Sequence, residues 1–134
     1  MASSYTGLGV ELMVTGENAG TWGTKTNTNL NIIEQISGGY IEQAVNGTGA
    51  TALTVTDGGT GSAVATRSIK LTGTITGNIT VNIPIDVENF YFIENGTSGA
   101  YTVEFEYVSG SGSSVTWSAT DKGYKIINAK GNDV

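Results

Sequence analysis

Histidine and cysteine are both absent from this chain of 134 residues, proline occurs once, and charged residues make up only 13% of the total. Without histidine neither a Ser-His triad nor a His-ligated zinc site can be assembled. Without cysteine there is no thiolate nucleophile, no thiolate metal site and no disulfide, and the redox compartment cannot be read from thiols. Basic residues are scarce: six stand against twelve acids, for a net charge of −6. Lys25, Arg67, Lys70, Lys122, Lys125 and Lys130 form no basic run. That balance argues against a nucleic-acid groove or an anionic membrane as partner. No charged start leads into an apolar core, and no stretch approaches the roughly twenty apolar residues of a membrane span, so neither signal peptide nor span is read.

Glycine, with 20 residues, and an equal share of threonine take the place of the missing charges. Hydroxyl-rich, charge-poor surfaces suit contact with other protein. Alternation marks strands at Leu8 to Val14, Tyr40 to Val45, Thr51 to Thr56 and Ala65 to Thr72. Ile79 to Ile83 follows and is ended by Pro84, which cannot donate to a ladder. Phe90 to Glu94 is nearly all apolar, as expected of a strand covered on both faces. Tyr101 to Tyr107 alternates aromatic with acidic residues, and after the SGSGSS connection at 109–114 the strands Val115 to Trp117 and Tyr124 to Asn128 close the series. The expected fold is mainly β, an antiparallel sandwich or small barrel of about eight strands, with one N-terminal α-helix packed on it. Residues 1–14 form an N-terminal arm and first strand, and residues 15–134 a single β-rich domain.

The segment Thr15 to Tyr40 specifies the helix, at about residues 25–37. Thr24 or Thr26 is placed to cap it, and Gly38 suits its terminal left-handed position. Leu30, Ile33 and Ile36, with Ile32 beside them, form the face expected to dock on the sheet.

That segment also carries a resemblance. Thr15-Gly16-Glu17, Ala19-Gly20-Thr21-Trp22-Gly23, Thr26-Asn27-Thr28-Asn29-Leu30 and Ile33-Glu34-Gln35 are followed by looser similarity at Leu71 to Asn78, Asn89 to Thr97 and Lys130 to Val134. Together they resemble a structural module of tailed bacteriophages of aquatic bacteria, of the tail-fibre or virion structural protein type. The resemblance implies a non-enzymatic virion component that decorates or cements the capsid or attaches to the tail as a fibre-type subunit. It also implies a homotrimer. The alternative it leaves open is a host-glycan receptor-binding module of a phage fibre. Relatives often form part of long fibres, and this sequence holds one module, which favours a small attached subunit.

Few residues offer chemistry. Glu104 and Glu106 lie about 7 Å apart along one strand face, a spacing open to glycosidase work, but alternation with core residues already explains them. Asp57, Asp86 and Glu88 belong to turns rather than to a calcium loop, and Gly58 to Gly61 is a turn rather than a phosphate loop. No catalytic, cofactor or metal residue is expected. The candidate interface residues are Tyr5, Leu8, Trp22, Tyr40 and Trp117. For Trp22 the favoured reading is packing beneath the helix near Leu30, against a place at a subunit interface. Tyr5, Tyr40, Trp117 and Tyr124 could line a sugar-binding face if exposed, and the arm MASSYTGLG is a candidate tether anchored by Tyr5 and Leu8.

Overall fold

The structure, a computed structural model, describes residues 3–109, 112–131 and 134. In chain order it contains β1 (Ser4–Tyr5), β2 (Glu11–Leu12), α1 (Trp22–Gly38), β3 (Tyr40–Ala44), β4 (Gly47–Ala52), a 3-10 turn (Ala63–Ala65), β5 (Ser68–Thr72), β6 (Ile75–Ile83), β7 (Glu88–Asn95), β8 (Val103–Tyr107), β9 (Val115–Trp117) and β10 (Tyr124–Lys130). The strands form a short ribbon, β1-β2, and two four-stranded sheets of order β10-β7-β5-β3 and β4-β6-β8-β9.

The fold is mainly β with one helix, but its sheets are mixed, not antiparallel, and they do not close into a barrel. From β3 to β8 each strand crosses to the opposite sheet at a corner, so the chain returns to the same sheet only after a full coil. Successive strands of one sheet therefore run parallel: β3, β5 and β7 on one side, β4, β6 and β8 on the other. The register steps Tyr40↔Ser68↔Phe92 define three stacked coils, and antiparallel β10 and β9 lie against the third. The connections that an antiparallel sandwich would make between neighbouring strands are here mostly corners between sheets. A period-two pattern reads alike in either arrangement, because side chains alternate whatever the direction of the neighbouring strand.

The core lies between the two sheets. Ile69 and Leu71 of β5, Tyr91 and Ile93 of β7 and Ile127 of β10 face Val81 and Ile83 of β6, Val103 and Phe105 of β8 and Trp117 of β9, all buried. Each large side chain withdrawn from water contributes roughly 1.5–3 kcal/mol. Tyr91 meets Phe105 edge-on, with ring centroids 5.8 Å apart. Its hydroxyl donates to the Val64 carbonyl, and burial pushes that phenol's pKa up. Trp117 donates from Nε1 to the Gly123 carbonyl at 2.9 Å, so its one polar atom is satisfied inside the core.

Asparagines tie the corners of adjacent coils. Asn46 Oδ1 accepts from Thr74 N at 3.3 Å, and one coil further on Asn78 Oδ1 accepts from Thr102 N at 3.1 Å. Buried Asn95 donates to the Asp121 carbonyl at 3.2 Å. Gly73 occupies a tight corner: φ is +109°, and an added Cβ would stand 2.9 Å from the Val45 carbonyl oxygen and closer still to Asn46 Oδ1.

Several local expectations change. The strand expected at Thr51 to Thr56 runs instead over Gly47–Ala52. The expected first strand, Leu8 to Val14, is reduced to the two residues of β2, because the chain turns at Gly9, whose Cα approaches the Thr56 carbonyl too closely for a side chain. The helix begins earlier, at Trp22, with Thr21 as an N-cap whose hydroxyl caps no helix N–H and donates back to the Asn18 carbonyl at 3.4 Å. Thr24 and Thr26 lie inside it. Gly38 is its last residue, and Gly39 leaves in an extended conformation, with room for no Cβ because the Gln35 carbonyl oxygen would lie 2.5 Å away. Of the SGSGSS connection, Gly110 and Ser111 lie outside the described residues.

Gly73→Ala is expected to cost about 1–3 kcal/mol, through left-handed strain and the corner clash. Gly123→Ala, at an ordinary φ with open space around its Cβ, should stay within about 0.5 kcal/mol of wild type. Urea unfolding midpoints of the two variants check this difference.

Candidate interaction surfaces

The residues that make the Thr15 to Tyr40 segment distinctive are used to build the scaffold. Asn29 reaches from α1 to β2 with both ends of its amide: Oδ1 accepts from Glu11 N at 2.9 Å, and Nδ2 donates to the Glu11 carbonyl at 2.9 Å. The amide thus stands in for a neighbouring strand. The buried Glu11 carboxylate then takes Asn18 Nδ2 at 3.2 Å and Lys25 Nζ at 3.4 Å. Glu17 accepts from Ser3 Oγ, and Gly58 N donates to the Gly9 carbonyl at 2.8 Å. The segment from Ser3 to Leu12 is therefore folded back on the domain and is not a free tether; Met1 and Ala2 lie outside the described residues. Half-buried Leu8 packs against the core, and Tyr5 lies over Gly58.

A second amide fixes the other half of the helix. Gln35 Nε2 donates to the carbonyls of Ser62 (3.1 Å) and Ala65 (2.8 Å), while its Oε1 accepts from Gly61 N at 2.8 Å. Asn29, Ile32 and Gln35 therefore define the inward side of α1, and Ile32 is the one buried residue of the described helix. This overturns half of the expected docking face: Ile32 is buried and Ile36 is half-buried beside Leu8, as expected, but the other two residues are not. Leu30 and Ile33 point outward, 57% and 48% exposed, and Trp22 is 63% exposed rather than packed beneath the helix.

The two sheets differ on their outer faces. On the β10-β7-β5-β3 sheet one cross-strand row reads Tyr40, Ser68, Phe92, Ile126 and the next Glu42, Lys70, Glu94, Tyr124. Phe92 and Ile126 are neighbours there, 40% and 60% exposed, although Tyr91 and Ile93 on the reverse of β7 are buried. Phe90 meets Phe92 edge-on at 5.7 Å, and the Arg67 guanidinium lies 5.1 Å from the Phe90 ring. Tyr40 donates its hydroxyl to Glu42 at 3.1 Å. The apolar run Phe90 to Glu94 is thus covered on one face only. The outer face of the other sheet is polar, with rows Ala50, Thr80, Glu104, Thr116 and Ala52, Asn82, Glu106.

Of the five candidate interface residues, Tyr40 lies on the apolar sheet face, Trp22 on the outer side of the helix, and Tyr5 is partly exposed on the docked arm. Leu8 belongs to the margin of the core. Trp117 is fully buried and is a core residue of the protomer, available to neither a partner nor a sugar. Glu104 and Glu106 sit among hydroxyls and an amide on the polar face, and no group of three or more potential metal ligands occurs among the described residues. Open clefts of about 660 Å³ beside Glu34 and Thr60 and about 290 Å³ beside Met13 and Trp22 flank the helix. No described helix is long and apolar enough to cross a membrane. The exposed pair Phe92 and Ile126 is absent from the expected set; the uninterrupted apolar sequence of β7 carries the signal, since such a run fits an uncovered face as well as a buried one.

Comparison with family models, with curated proteins and with solved structures finds no match.

The docking of the arm depends on pH. Burial pushes the Glu11 carboxyl up, but the hydrogen bond from Asn18 and the Lys25 ammonium beside it outweigh burial and hold the group below its ordinary 4.5. A carboxyl lowered on folding contributes stability that is complete above its unfolded value and is lost as pH falls through the folded one. On acidification below 4.5, wild type should lose melting temperature faster than Glu11→Gln. Parallel melting curves for the two proteins would contradict this assignment.

Proposed function

We propose that this protein is a non-enzymatic structural component of a bacteriophage virion, a homotrimer that decorates or cements the capsid or attaches to the tail as a fibre-type subunit. The observation that carries this reading is the bare apolar face of the β10-β7-β5-β3 sheet. Contiguous exposed apolar patches of this kind mark contact sites on soluble proteins. Phe90, Phe92 and Ile126 supply its apolar centre, and Arg67, Lys70, Glu42 and Glu94 a polar rim, the anatomy of a protein interface. The resemblance of Thr15 to Tyr40 to phage structural modules supplies the kind of partner: a capsid or tail protein. The wiring of that segment supports a scaffold role, since Asn18, Lys25 and Asn29 are occupied in holding the arm.

A second reading draws on the same face. Tyr40, Phe92 and Tyr124 offer rings beside Glu42 and Glu94, the materials of a host-glycan site. Tyr40 and Tyr124 stand on opposite edge strands, three strand spacings or about 14 Å apart at the backbone.

Binding of the purified protein to phage heads and tails, measured by co-sedimentation, tests the first reading. Phe92→Ser with Ile126→Ser should weaken that binding roughly ten- to a hundredfold, a loss of about 1.4–2.7 kcal/mol. Glu104→Gln with Glu106→Gln should leave it unchanged. A wild-type protein that ignores particles but lights a glycan array would favour the second reading.

A further inference from the structure

The outward side of α1 has a regular spacing. Gly23, Thr26, Leu30, Ile33 and Ser37 alternate steps of three and four residues, the a/d rhythm of a helix seam, with Gly23, Leu30 and Ser37 at a and Thr26 and Ile33 at d. Trp22 flanks it at g, a position whose other members, Asn29 and half-buried Ile36, turn toward the protomer. None of the seam residues is charged, and the helix carries only Lys25 and Glu34, both off the seam. The inward side is already engaged by Asn29, Ile32 and Gln35, so the seam is surplus to the protomer.

We propose that α1 is the self-association element and that three copies of this chain pack their α1 helices in parallel around one axis through this seam. The inference rests on the homotrimer reading and adds to it the surface and the arrangement of the helices. The occupant is a second copy because the seam is self-complementary: an a/d stripe fits the holes of another such stripe. Copy number follows from side-chain branching. Leucine at a with β-branched residues at d shifts coiled coils from two strands toward three or four. Leu30 at a, with Thr26 and Ile33 at d, has this pattern, and the small Gly23 and Ser37 allow close approach at both ends. The area is adequate. Trp22, Leu30 and Ile33, with exposed Met13 beside Trp22, leave on the order of 400 Å² of side chain in water. That is about half of the ~800 Å² per partner of a standard interface before the polar rim is added. The seam is about two heptads long, too short to hold alone, but Asn29 and Gln35 keep the helix formed and correctly rotated in each protomer.

The test is solution mass by multi-angle light scattering together with cysteine cross-linking, which the cysteine-free chain allows without background. Wild type should have three times the chain mass of 13.8 kDa. Leu30→Asp with Ile33→Asp, both at exposed positions, should give a monomer with an unchanged circular dichroism spectrum. Under oxidation Leu30→Cys should form inter-subunit disulfides, and Asn31→Cys, turned away from the seam, should not. A trimer that survives Leu30→Asp with Ile33→Asp and does not cross-link through Leu30→Cys would overturn the helix assignment and leave the homotrimer reading intact. A wild-type monomer would overturn both, and a two-copy mass would contradict the three-helix packing.

Discussion

The rotation of α1 about its own axis is the constraint on which the other features depend, and two side-chain amides set it. Asn29 grips the backbone of Glu11 from both sides, and Gln35 grips the turn from Gly61 to Ala65 with all of its polar atoms. Each bond contributes only about 1 kcal/mol net. Their geometry matters more than their sum. With both amides and Ile32 turned inward, the apolar Leu30 and Ile33 have no choice but to face out. The same two residues order the N-terminal arm and the turn leading to β5, so helix, arm and sheet are held as one unit.

Beneath this unit the two parallel stacks supply a core that is apolar throughout and closed by its own hydroxyl donors. The chain spends its chemistry on these joints: Tyr91 and Val64, Tyr107 and Val87, Asn46 and Thr74, Asn78 and Thr102. What remains on the surface is uneven. One sheet shows threonine, alanine, asparagine and glutamate to solvent, the other phenylalanine, isoleucine and tyrosine. In a chain with so few charges, an apolar sheet face and an apolar helix seam are the two surfaces on which the proposed association rests.

The alternation of Val103, Phe105 and Tyr107 with Glu104 and Glu106, and of Ile79, Val81 and Ile83 with their polar neighbours, made the β character and the core legible in the sequence. Direction was not legible, because alternation reports a pleat and not the sense of the adjoining strand. Corners such as Val45 to Gly47 therefore resembled hairpin turns. The helix was legible too, but its orientation was not. Hydrophobicity favoured Leu30 and Ile33 as the buried face, whereas hydrogen-bond satisfaction of Asn29 and Gln35 decided the outcome. Phe90 to Glu94 was misjudged for a related reason: an apolar residue with no cover in the protomer looks, in sequence, like one buried within it. Trp117 shows the reverse, an aromatic whose indole nitrogen is met by the Gly123 carbonyl and which belongs wholly to the interior.

The central claim, that the helix turns its apolar seam outward to meet copies of itself, is tested most directly by a distance between helices. A single spin label at Glu34→Cys, read by pulsed electron resonance on the assembled protein, reports that distance without disturbing the seam. Helices packed 8–10 Å apart around one axis predict a single narrow distribution near about 20 Å once the label arms are included. A broad distribution beyond about 40 Å, or no inter-label coupling, would place the helices apart and contradict the account.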